Sequence, residues 1–186
     1  STIAVDNDGH ATIAGGTSSD DFPTTPGAFD PTPNGAGDSF VAQLTVDGSA
    51  LVFSTLLGGS DSELALDIAL DSLGQAIVVG AVWSDDFPTT PGAFDPTFNG
   101  SGPQYSGDAF VAKFNGNGSG LLFSTYLGGW SGDCDGGCAL ALDPQDTVFV
   151  TGVTSSPNFP TTPGAYSPSY NGGSIDGCCD AFVTRL

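Results

Sequence analysis

The sequence predicts an all-β chain made of about three copies of one antiparallel unit. Three observations carry that prediction. The segment Phe-Pro-Thr-Thr-Pro-Gly-Ala-aromatic occurs at residues 22–29, 87–94 and 159–166, and its flanks recur with it; self-similarity of this kind marks a repeat array. Each copy follows two short apolar runs separated by turn residues, the pattern of a β-hairpin. The chain also holds 28 glycines, 13 prolines and a single glutamate (Glu63) among its 21 acids. Aspartate, glycine and proline at this density belong to turns rather than helices.

Taken in order, the first unit opens with Ile3-Ala4-Val5-Asp6, the turn Asn7-Asp8-Gly9 and a second run, Ala11-Thr12-Ile13-Ala14-Gly15. The second copy reads Ile68-Ala69-Leu70-Asp71, Ser72-Leu73-Gly74 and residues 76–80. The third reads Leu140-Ala141-Leu142-Asp143, Pro144-Gln145-Asp146 and residues 147–152. The repeated Pro/Thr/Gly segment follows each hairpin. Its prolines fix φ and remove donors, which excludes helix and central strand, so it is a long ordered loop pinned by its aromatic ends. A third strand returns at Asp38-Ser39-Phe40-Val41-Ala42, at Asp108-Ala109-Phe110-Val111-Ala112 and at Asp180-Ala181-Phe182-Val183-Thr184, with alternation suited to one buried face. A fourth, Leu51-Val52-Phe53-Ser54-Thr55 and its copy at residues 121–129, ends in Gly-Gly. With that strand taken as the start of each unit, the expected fold is all-β: tandem four-stranded antiparallel propeller-like blades, about three units, the first blade incomplete. The boundaries are then 1–44, 45–114 and 115–186.

These residues resemble the bacterial seven-bladed beta-propeller repeat family. The resemblance rests on Ala-Leu-Val-Phe-Ser-Thr-Leu-Leu-Gly-Gly at 50–59, Ile-Ala-Leu-Asp at 68–71, Asp-Phe-Pro-Thr-Thr-Pro-Gly-Ala-Phe at 86–94 and Asp-Ala-Phe-Val-Ala-Lys at 108–113, and it spans almost the whole chain. It implies extracellular or cell-surface blades and transfers no catalytic residue. About three units cannot close a ring of the usual four to eight blades, so the chain is expected to be a slice of a longer array or to be completed by other chains.

The charge of −19, with only 2 Lys and Arg, repels nucleic acid. No apolar run is long enough for a membrane-spanning helix, and 39% hydrophobic residues allow a core. The four cysteines, Cys134, Cys138, Cys178 and Cys179, are even in number and favour disulfides in a secreted protein over a zinc site. The loops that carry them fall on the same sheet edge, so two cross-loop links are expected, with local 134–138 and 178–179 links as the alternative.

The same loops of the second unit carry Asp61, Glu63 and Asp108, and those of the third carry Asp133, Asp135, Asp176 and Asp180. Carboxylates and loop carbonyls suit calcium. A solvated acidic rim is the preferred reading, because no fixed-register calcium loop appears. Asp6-Asn7-Asp8-Gly9 begins like such a loop but lacks the later glutamate, so it reads as a hairpin turn. Asn99-Gly100-Ser101 and Asn117-Gly118-Ser119 are glycosylation sequons and equally good turns.

No catalytic constellation stands out. The pairs Asp20/Asp21 and Asp85/Asp86 become Pro157/Asn158 in the third copy, and no Gly-x-Ser-x-Gly elbow occurs. The expectation is therefore not an enzyme. It is an extracellular structural or adhesive protein that self-associates head to tail by strand complementation into a filament or surface layer. The alternative is a glycan- or protein-binding propeller segment of a larger secreted protein.

Overall fold

The computed structural model describes residues 1–100, 107–129, 136–172 and 179–186. The first sheet contains β1 (Thr2–Val5), β2 (Ala11–Thr17), β3 (Asp38–Leu44) and β4 (Leu51–Leu57); the second contains β5 (Glu63–Leu70), β6 (Ala76–Val82), β7 (Asp108–Phe114) and β8 (Leu121–Leu127). The third contains β9 (Gly136–Leu142), β10 (Val148–Thr154) and β11 (Asp180–Arg185). Within each sheet the strands lie in chain order and pair antiparallel. All the strands expected from the repeats form, and no helix among the described residues is long and apolar enough to cross a membrane.

The phase of the repeat differs from the expectation. The Leu-Val-Phe-Ser-Thr strand closes the first sheet instead of opening the second, because β3 and β4 are the arms of one hairpin. Its turn is fixed by Thr45 N–H donating to the Ala50 carbonyl at 2.9 Å and Gly48 N–H to the Thr45 carbonyl at 2.8 Å. Gly48 takes φ +69° there, a conformation that side chains disfavour. The first blade is therefore complete, and the three-stranded sheet is the last one. The boundaries 44/45 and 114/115 fall inside the β3–β4 and β7–β8 hairpins.

The sheets stack face to face. Val41 and Leu57 of the first sheet share a core with Phe110, Phe114 and Tyr126 of the second. On the opposite face of the second sheet, Val79 and Val111 meet Val150 and Phe182 of the third. Each sheet thus turns a phenylalanine face backward along the chain and a valine face forward. The glycine in the second strand of each unit makes this possible. Gly80 pairs with Phe110 and Gly152 with Phe182. A Cβ on either glycine would stand 2.8 Å from the ring opposite and 2.0 Å from a backbone carbonyl, so the ring lies flat over bare backbone.

The long loop acquires a physical role. Thr25 N–H donates to the Ser54 carbonyl at 3.0 Å and Leu56 N–H to the Asp30 carbonyl at 3.0 Å; the second loop repeats this with Thr90 to Ser124 at 3.1 Å and Tyr126 to Asp95 at 3.0 Å. The loop covers the outer edge of β4 and β8 and satisfies backbone groups that an open edge would expose. Its first aromatic packs inward: Phe22 on Phe40 at 4.7 Å, Phe87 on Phe110 at 4.9 Å and Phe159 on Phe182 at 4.5 Å between ring centroids. Only Phe87 is fully buried, since it alone has both a fourth strand beside it and a preceding sheet over it.

Candidate functional site

The two sheet-edge loops of the second unit do not gather the calcium candidates. Glu63 and Asp108 both sit opposite Val82, on strands either side of it. The Asp61 backbone is used for structure, its N–H donating to Ser84 Oγ at 2.8 Å and its carbonyl accepting from Ala36 N–H at 2.7 Å. Among the described residues no group of three or more His, Cys, Asp and Glu side chains could hold a metal ion. Asp133, Asp135 and Asp176 lie outside the described residues.

What the fold does bring together is Glu63 and Asp38, across the connection from β4 to β5. Both are buried, at 4% and 1% exposure. Glu63 accepts hydrogen bonds from Gly59 N–H at 2.9 Å and from the Ser84 hydroxyl. Asp38 Oδ2 accepts from Asn34 N–H at 2.7 Å, while its Oδ1 is buried without a partner. A Cβ on Gly58 would stand 1.9 Å from Asp38 Oδ1 and 2.5 Å from Glu63 Oε2, so these oxygens are no more than 4.4 Å apart, the sum of the two distances. Asp86 adjoins them and accepts from Ser60 N–H at 2.7 Å. The acids here order the crossover between two sheets by receiving its backbone amides.

Burial pushes the Glu63 carboxyl above its ordinary value, and the negative charges of Asp38 and Asp86 add to the rise, while Ser84 and Gly59 oppose it. Burial raises Asp38 too, with help from Asp30, against the Asn34 hydrogen bond. A raised folded pKa means the folded state binds its proton more tightly than the unfolded chain. The resulting stability is complete below the ordinary values of 3.8 and 4.5 and is lost as pH rises through the folded ones. Glu63→Gln should therefore be more stable than the parent at neutral pH. The difference should close toward pH 4; urea titrations at several pH values would show it, and a variant less stable at neutral pH would contradict it.

The other candidates divide. Asp108 and Asp180 repeat the Asp38 latch, accepting from Asn99 and Asn171 N–H at 2.7 and 2.6 Å. Asn99 also donates its side-chain amide to Asp95 at 2.6 Å, so that sequon is engaged in holding the loop. Asn117 is exposed on the β7–β8 turn, where its Oδ1 accepts from the Ser119 hydroxyl at 2.7 Å. The Asp6 carboxylate accepts from Asp8 and His10 N–H at 2.9 and 2.8 Å; it closes a hairpin turn. Cys138 and Cys179 are exposed free thiols. Cys138 occupies the bulge of β9 opposite Thr151 and Gly152, and Cys179 precedes β11, on the other side of β10, so these two are not linked. Cys134 and Cys178 lie outside the described residues.

Sequence reasoning missed an exposed apolar face, the forward face of the third sheet. Val41, Val111 and Val183 hold the same repeat position; the first two are 0% exposed and Val183 is 76% exposed. At the opposite end Ile3 is 62% exposed, whereas Ile68, its counterpart under the preceding sheet, is 6% exposed. The signal was present in the repeat alignment, but only the sheet order says which copies are covered.

No protein-family model matches the chain, and no curated protein sequence matches it.

Proposed function

We propose that this is an extracellular structural or adhesive repeat protein that assembles head to tail into a filament or surface layer. The observation that carries this reading is the complementarity of its ends. The backward face of the first sheet, with Ile3, Val5 and Phe40, has the residue pattern that meets the forward face of a neighbour inside the chain. The forward face of the third sheet, with Val153 and Val183, has the pattern that receives it. A second copy continues the internal stacking by the same operation, and a contact between two different surfaces propagates. Exposed apolar faces of this kind are characteristic of interaction sites. The extracellular setting is supported by the repeat resemblance and by the acidic, Lys-poor composition. The first sheet, with four strands, gives no support to the strand-complementation part of this reading.

The test is Val183→Asp. Light scattering of the parent should grow with concentration, and the variant should stay dispersed with unchanged circular dichroism. A variant that assembles like the parent would overturn the reading.

A further inference from the structure

The crossover from the first sheet to the second runs over two carboxyl groups that cannot both be ionised cheaply. Asp38 opens β3 and Glu63 opens β5, and both are buried. Asp38 Oδ1 and Glu63 Oε2 converge on one point beside Gly58, 1.9 and 2.5 Å from where a Cβ on that residue would stand. Two like charges so close, and away from bulk water, repel strongly. The acids around them add to the repulsion: Asp30 acts on Asp38, and Asp86 acts on Glu63. Asp61 of the crossover and Asp108 of β7 bring no positive charge either. The basic side chains of the protein stand elsewhere. His10 pairs with Asp6 at 3.1 Å, Lys113 pairs with Asp71 at 2.7 Å, and Arg185 lies on β11 opposite Phe149.

We infer that Asp38 and Glu63 hold one proton between them, carried on Asp38 Oδ1 and donated to Glu63 Oε2. The hydrogen-bond inventory assigns the two roles. Glu63 already accepts from Gly59 N–H at 2.9 Å and from the Ser84 hydroxyl, and two donors favour its ionised form. Asp38 accepts only from Asn34 N–H, through Oδ2 at 2.7 Å. Its Oδ1 is buried without a partner. An orphaned acceptor in the interior is costly; a proton on Oδ1 turns it into a donor facing an oxygen that can accept. The pair then carries one negative charge in place of two.

The shared proton makes the crossover a pH-sensitive joint. Each partner ties down a different segment. Glu63 holds the crossover through Gly59, and Asp38 holds residues 34–37 through Asn34. The two segments are themselves joined, with Ala36 N–H donating to the Asp61 carbonyl at 2.7 Å and Glu63 N–H to the Gly37 carbonyl at 2.9 Å. While the proton is present, the segments are clamped together. Once it leaves, two carboxylates repel across the joint and both segments loosen. Burial holds both groups above their ordinary values. The clamp is therefore complete in acid and is lost as pH rises through the folded pKa of the pair.

The experiment follows the side-chain carboxyl carbons of the full chain by NMR across a pH series, with Glu63→Gln for assignment. Asp38 and Glu63 are expected to respond to the same two steps, because strongly interacting sites titrate as a pair. The upper step should lie above the ordinary carboxylate range. In Glu63→Gln the upper step at Asp38 should fall by about one unit or more, since the neighbouring charge is gone. Amide exchange of Gly59 and Asn34 in the parent should accelerate through the upper step more steeply than exchange in the strands. Asp38→Asn supplies a side-chain N–H in place of the proton, so there the extra acceleration should vanish. If that variant does not fold, the two titration curves of the parent decide. Independent titration of both groups in the ordinary range would overturn the shared proton. So would an upper step that moves on adding calcium or a chelator, because a cation would then neutralise the pair.

Discussion

Replacing Phe110 by alanine is expected to destabilise the protein by about 3–5 kcal/mol, the range for deleting a fully buried phenylalanine. Its ring is 0% exposed, touches Phe87 at 4.9 Å between centroids and lies over Gly80 in the core between the first and second sheets. Nothing adjacent can collapse into the space, because the ring is fixed by a strand on either side and a sheet in front. Phe40 holds the same repeat position but has no preceding sheet over it. Phe40→Ala should therefore cost clearly less. Equal losses in denaturant titrations of the two variants would mean that the stacked interface contributes little, which would contradict the core described above.

Gly80→Ala is the second large effect. The added Cβ would stand 2.0 Å from the Leu64 carbonyl oxygen and 2.8 Å from the Phe110 ring. The first contact is with backbone held in the β5–β6 ladder, so neither side can yield by a rotamer change. Overpacking usually costs about 1–3 kcal/mol, and the upper end or beyond is expected here. Gly74→Ala is the control. Its φ is +74° with nothing within 4 Å of the new Cβ, so only left-handed strain of about 1–2 kcal/mol applies. The same titrations read both, and a smaller loss for Gly80→Ala than for Gly74→Ala would contradict the close approach.

Strand positions were legible from short apolar runs bounded by turn residues. The single buried face expected of Asp-Ala-Phe-Val-Ala was not found in the second sheet, where residues 108–112 are buried on both faces because a sheet packs on each side. The grouping of strands into sheets was not legible. The connections before and after Leu51–Leu57 are both short and glycine-bearing, and a repeat has no intrinsic first strand. The phase is set by non-local contacts. Residues 59–61 donate their amides to Glu63, Asp86 and Ser84, which commits that connection to crossing between sheets. Glu63 drew attention in the sequence as the single glutamate, but its companion Asp38 did not, since nothing local distinguishes it from nineteen other aspartates. The edge-covering role of the Pro/Thr/Gly loop was likewise hidden. Its hydrogen bonds go to a strand some thirty residues away in sequence.

The central claim is that the two ends of the stack are halves of one interface. Sedimentation velocity of the wild-type chain over a wide concentration range tests it most directly. The account predicts species growing in multiples of 18.6 kDa without a closed limiting size. A single dispersed 18.6 kDa species at every concentration, with residues 180–186 protected from exchange, would contradict it.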